Sequence, residues 1–280
     1  MILVFGKTGQ VAKELQNFGS DVLALGRDMA DLSNPITCKA VIKKLAPKVV
    51  INAAAYTSVE KSEENEDLAT IINGHAPFII AQTCAEINIP LVHISSDYVF
   101  EGLGELPWKP WDKTIPQNAY GRSKLVGEKG ILSSGANYVI LRTSWVISAH
   151  GNNFVKNMLH LSNSHDTLNI VGDQIGGPTP ASCIASACLI IAKQIQQDPL
   201  KSGIYHYSGK PNVSWAELAT KIFTGVGQFI NVNPIKTSEY STIAKRPLNS
   251  QLDCSTTIST FGIEQPDWHM ELKNILKELM

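Results

Sequence analysis

Short, unbroken apolar runs alternate along the first half of the chain with longer stretches in which apolar residues recur every three or four positions. Residues 2–5, 22–25, 49–51, 91–94 and 138–141 are runs of the first kind, the pattern of strands covered on both faces. Helical patterns lie between them: one through Leu15 and Phe18, one over 35–45, one that starts in the acidic stretch 60–67 and runs to Ile87, and one that carries Tyr120 and Lys124. Strand and helix in alternation predict an α/β fold, a Rossmann-type doubly wound parallel sheet. Beyond residue 145 the pattern loosens. A helical stretch to Leu161, strands near 168–171, 204–207 and 232–235, a helix over 180–197, another from Trp215 behind a Ser214 cap, and small helices over 267–279 predict a smaller C-terminal domain interleaved with the sheet.

Tyr120 and Lys124 stand four apart, so on a helix they project from one face about a turn from each other. An ammonium beside a phenol stabilises the phenolate and draws a pKa of ~10 toward neutrality, which makes an acid. That spacing arises by chance on many helices, and its weight comes from its company. Gly6 and Gly9 follow the first strand at once and let backbone amides close on a diphosphate at the positive end of the next helix, while the small Ala12 allows helix and strand to pack closely. At the end of the second strand Arg27 can pair with a 2′-phosphate and Asp28 can accept a 2′-hydroxyl, which favours NADPH and leaves NADH open. Asp31 and Leu32 fall where the adenine edge would lie. Ala53, Ala54 and Ala55 close the third strand with room for a nicotinamide, and Ser96 at the end of the fourth can bond a substrate carbonyl. His93, inside that strand, reads as a packed core residue rather than a base. The loop 98–117, rich in Gly, Pro and Trp, reads as the rim of a cleft. Trp145, at the end of the fifth strand, reads as a stacking surface for a base or sugar or as core, and Arg246 as a hold on a substrate diphosphate or a surface salt bridge.

Composition narrows the partner. With 24 basic and 25 acidic residues the chain has no field to attract nucleic acid or an anionic membrane, so a small molecule is expected. Five scattered cysteines without a Cys-x-x-Cys argue against a disulfide framework or a zinc site, and reduced thiols point to the cytoplasm. No apolar window approaches a membrane span, and no secretory signal is evident at the start.

With these motifs the chain resembles the extended short-chain dehydrogenase/reductases, and within them the branch that reduces dTDP-4-dehydro-L-rhamnose. The narrower likeness rests on Phe5-Gly-Lys-Thr-Gly-Gln10, Asn52-Ala-Ala-Ala-Tyr-Thr57, Ser96-Asp-Tyr-Val-Phe100, Arg142-Thr-Ser-Trp145, Gly151-Asn-Asn-Phe154, Asp173-Gln174 with Gly176 and Pro178-Thr179, and Arg246-Pro247. It implies reduction of a 4-keto group to give dTDP-L-rhamnose, a cell-surface sugar donor, with Tyr120 as proton donor and Lys124 and Ser96 beside it. It places Gly9, Gln10, Val11, Asp31, Leu32, Ala53, Ala54, Ala55, Tyr120 and Lys124 at the cofactor, and Ser96, Asp97 and Trp145 at the substrate. Ala12 stands where glycine is frequent and Ser96 where threonine is frequent; both keep the property needed. The C-terminal region matches only loosely, so the nucleotide and sugar are less fixed than the chemistry. The division expected is a dinucleotide-binding domain over 1–145, with segments of roughly 165–205 returning to the sheet, and a mainly substrate-binding domain over 146–280. A divalent metal and a homodimer occur in some relatives and are left open. The rivals are a nucleotide-sugar epimerase or dehydratase that regenerates its own cofactor, and a non-catalytic subunit that senses a dinucleotide.

Overall fold

The computed structural model describes residues 1–19 and 21–280. Six parallel strands form the main sheet: β1 (Ile2–Phe5), β2 (Val22–Leu25), β3 (Val49–Asn52), β4 (Leu91–Ser96), β5 (Tyr138–Thr143) and β6 (Gly203–His206). Their order across the sheet is β6-β5-β4-β3-β1-β2, so the chain reverses its direction of travel between β1 and β3. Successive side chains of a strand point to opposite faces. Val4, Ile51 and Val92 therefore pack under the helices Gln10–Gln16 and Ala181–Gln197, while Leu3, Val50 and Leu91 pack under Pro35–Leu45 and Ala76–Glu86. Burial on both faces is what the uninterrupted apolar runs require.

The helix Ala119–Leu132 begins where Asn118 accepts from the Gly121 N–H (2.8 Å) and where Glu63 accepts from the Ala119 N–H (2.8 Å). Its approach to the single π-helical turn Ile71–His75 is so close that a Cβ on Gly127 would lie 2.1 Å from the Asn73 carbonyl oxygen. Asn73 in turn bonds the Tyr56 backbone and the Ser123 hydroxyl, fixing the helix along its length. Below this helix Glu128 and Arg142 form an ion pair (2.6 Å) whose side chains are 2% and 3% exposed, and Ser95 donates to the same carboxylate (2.6 Å).

A second core gathers Met158, Leu168, Ile170, Ile222, Phe223, Trp268, Leu272 and Leu276. Of the stretch 165–205, the helix Ala181–Gln197 and β6 lie on the main sheet, whereas Thr167–Val171 pairs with Asn231–Ile235 in a ladder of its own. The exposed Thr167 and Asn169 alternate with buried Leu168 and Ile170, so this strand is covered on one face only. Among the described residues no helix is long and apolar enough to cross a membrane.

Removing one partner of a buried ion pair strands the other's charge. Arg142→Met and Glu128→Leu should each cost ~3–5 kcal/mol in the urea midpoint, and the double variant should recover most of the loss.

Candidate active site

Beyond the carboxyl ends of β1, β3, β4 and β5 lies a cleft of about 630 Å³, at the reversal point where open parallel sheets collect ligands. Gly6, Gly9, Gln10, Val11, Arg27, Asp31, Leu32, Ala53, Ala54, Ala55, Ser96, Asp97, Tyr120, Lys124 and Trp145 all line it. Residues far apart in the chain are thus brought to one surface, and Arg246 is not among them.

Gly6 makes the dinucleotide end possible. Its φ of +104° is a glycine conformation, and a Cβ there would stand 2.9 Å from the Ala54 backbone. The Gly6 and Gly9 amides are spent within the turn, on Leu25 and Gly6 carbonyls. The amides left without intrahelical acceptors are those of the first turn of the helix Gln10–Gln16, at its positive end. Arg27 and Lys7 line the far end of the cleft together; Asp28 does not. Asp31 is turned back on the Ser33 N–H, whose hydrogen bond is the first cause holding its carboxyl below the usual range.

At the other end the Tyr120 ring meets Tyr98 edge-on (centroids 5.4 Å, 79°), and the nearby Ser96 hydroxyl favours its phenolate. Ser96 Oγ donates to Asp97 Oδ1 (2.9 Å) and accepts from the Tyr98 N–H (3.2 Å). Burial drives the Tyr120 pKa up, and the nearby Ser96 hydroxyl only partly opposes it. Lys124, one turn along the same helix, makes no hydrogen bond to the Tyr120 hydroxyl. The lysine nitrogen instead donates to the Ile94 carbonyl (2.7 Å) and lies 3.4 Å from His93 Nε2. Burial lowers its pKa to about 8, with the Glu128 carboxylate pulling the other way. Asp97 is pushed up to about 6 by burial, with the nearby Ser250 and Ser96 hydroxyls pulling the other way.

Two further candidate residues are held by neighbours within the protein. Arg246 donates to the Tyr98 hydroxyl (2.9 Å) and is paired with Glu60, whose other oxygen accepts from the Ile243 and Ala244 amides. It is engaged with protein rather than presented to the cleft. Trp145 lines the cleft, yet one face of its ring is covered by Trp215 (centroids 3.5 Å, 9°), and its φ of +47° is held by that packing. His93 is fully buried, as expected of a core residue. Sequence reasoning passes over Tyr98, Thr143 and Glu128. Glu128 is within its reach, since it follows Lys124 by four on the same helix; nothing local marks the other two.

The cleft fits a dinucleotide. It has a turn that a Cβ would fill and buried polar atoms without partners, Thr143 Oγ1 and Asp97 Oδ2, on its wall. Among the described residues no group of three His, Cys, Asp or Glu side chains is placed to hold a metal ion.

The family model described as the RmlD substrate binding domain matches residues 1–280. The chain belongs to the RmlD family. A dTDP-4-dehydrorhamnose reductase of Sinorhizobium fredii is 38% identical, over 100% of this chain and 97% of that one. Two solved dTDP-4-dehydrorhamnose reductases share the fold: that of Clostridium acetobutylicum (TM-score 0.92, 34% identity, 99% of each chain) and that of Bacillus anthracis in complex with NADP (TM-score 0.91, 32% identity, 99% of this chain and 98% of that one). RmlD membership makes the protein an NAD(P)-dependent oxidoreductase.

Because Asp97 binds its proton more tightly folded than unfolded, its contribution to stability is full below the ordinary carboxylate range and is lost as pH rises through about 6. Relative to wild type, Asp97→Asn should gain on the order of 3 kcal/mol between pH ~4 and pH ~7, read from urea midpoints at each pH.

Proposed function

We propose that this protein reduces the 4-keto group of dTDP-4-dehydro-L-rhamnose to give dTDP-L-rhamnose, with NADPH as reductant. The observation that carries the reading is Tyr120, which lines the same cleft as Ser96, the glycine turn and the three alanines. Full-length likeness to reductases of that name supports the substrate. We assign residues 1–145, with β6 and the helix before it, to the dinucleotide, and most of 146–280 to the sugar nucleotide.

When bound, NADPH supplies the hydride for C4. The protein's own residues manage the proton. Burial keeps Tyr120 protonated, so the proton is present when negative charge develops on the carbonyl oxygen. Ser96 holds that oxygen beside the phenol, and its hydroxyl and Lys124 stabilise the phenolate left behind. Lys124 would also hold the nicotinamide ribose. Trp145 offers its uncovered face to the substrate, and Asp97, with one oxygen unpartnered, can take up a sugar hydroxyl. For Arg246 to reach a substrate diphosphate it must exchange its Glu60 partner. Arg27, with Lys7 beside it, would pair with the 2′-phosphate.

Tyr120→Phe should lower kcat for NADPH oxidation with dTDP-4-dehydro-L-rhamnose by ~10²–10⁴-fold while NADPH binding is kept; near-normal turnover would remove Tyr120 as the acid. A purified protein that carries tightly held NAD and consumes no added NADPH would instead be an epimerase or dehydratase. Arg27→Glu should cut kcat/KM for NADPH by ~10–100-fold and leave that for NADH much less changed.

A further inference from the structure

Lys124 is held by more than its helix. The Ala54 N–H donates to Asn52 Oδ1 (3.2 Å), and this turns the Asn52 amide nitrogen toward His93 Nδ1, 3.1 Å away. A ring nitrogen that faces an N–H must accept. The hydrogen of the neutral ring then sits on Nε2, aimed at Lys124 Nζ 3.4 Å away. His93 carries no second hydrogen, since its full burial drives its pKa well below the usual value. An N–H pointed at an ammonium is repelled, whereas one pointed at the lone pair of an amine is attracted. The Ile94 carbonyl accepts from the lysine in either state.

The other ionisable groups near the lysine do not reverse this preference. Glu128, one turn along the helix, favours the ammonium, but its carboxylate is taken by Arg142 and Ser95. Tyr120, one turn back, is kept neutral by burial. Asp97 and Tyr98 lie past the end of β4, with Asp97 bonded to Ser96 and Tyr98 to Arg246. Glu63 and Glu66 are occupied at the first turn of the helix, by the Ala119 N–H and by Arg122.

We propose that Asn52 and His93 form a tautomer lock that favours the amine form of Lys124 in the free protein on the alkaline side of neutrality, and that binding of a nicotinamide dinucleotide charges it. The inference rests on the reductase reading for the dinucleotide that Lys124 meets. The ligand's ribose hydroxyls are acceptors and its phosphates are negative, and both favour the ammonium. One proton comes from solvent and ends on Lys124 Nζ; no other bond changes. Asn52 and His93 are positioning residues, since they act through the lysine.

Two measurements on the whole protein test this without turnover. In protein labelled with ¹⁵N-histidine, the His93 signals, identified by their absence in His93→Gln, should report a bare Nδ1 and a protonated Nε2 from pH ~5 to pH ~8. The opposite tautomer, or an imidazolium forming near pH ~6.5, would overturn the lock. Calorimetry of NADPH binding at pH ~8.5, in two buffers of different ionisation heat, should show uptake of ~0.5–1 proton per site. In Asn52→Leu the ring is free to change tautomer, and uptake should fall severalfold. No uptake by the wild type, or equal uptake by Asn52→Leu, would sink the proposal; should that variant fail to fold, the wild-type tautomer and uptake decide it. A turnover-competent Tyr120→Phe would overthrow the reaction and leave the tautomer and the proton uptake standing.

Discussion

Keeping the nitrogen of Lys124 out of water is the constraint on which the rest of the site depends. The side chain is 1% exposed, beneath a helix and against the ends of strands, and a buried cation without partners would cost several kcal/mol. The Ile94 carbonyl gives the nitrogen an acceptor, and around it the protein sets the last polar positions of its central strands. Asn52 and His93 are register partners across β3 and β4, and Ser95 and Arg142 are register partners across β4 and β5. Side by side they form a belt of buried hydrogen-bonding groups where the apolar sheet ends and the cleft begins.

That belt also fixes the helix that bears Tyr120. Glu128 is clamped from below by Arg142 and Ser95, and Arg142 reaches further, to the Pro110 carbonyl (3.0 Å) and over the Phe100 ring (4.9 Å). One guanidinium therefore ties the helix, the cleft-rim loop and β5 together. A phenol placed this way is set in position before any ligand arrives, and such preorganisation is what electrostatic and acid catalysis require.

The C-terminal third is joined to the cleft by small pieces. Ile175–Gly176 pairs with Asn249–Ser250 and Val213–Ser214, and Gly176 passes so near Trp145 that a Cβ would be 2.7 Å from its ring. Trp145, Trp215 and Phe154 stack in series, so the indole facing the cleft is backed by the second core. Across the opening, Glu60 and Arg246 link the acidic helix Val59–Glu64 to the returning strap, and the Asn118 side chain donates to the Lys245 carbonyl (2.8 Å). That strap is thus held at the cap of the helix carrying Tyr120.

The sequence by itself determined the features that local periodicity dictates. The alternation of apolar runs and helical patterns specified a parallel sheet, because strands covered on both faces have no polar face to show. The glycine turn placed the dinucleotide end, the four-residue spacing put Tyr120 and Lys124 on one face, and strand ends located Ser96 and the three alanines; all of these line the cleft. Only the tertiary structure decided which side chains those residues face. Arg246 meets a carboxylate 186 positions away, Thr167–Val171 pairs with a strand more than sixty residues on, and Trp145 is covered by Trp215. His93 was legible as buried but not as Lys124's neighbour. A pKa or an ion pair depends on distances between groups brought together by folding, and no periodicity along the chain encodes those distances.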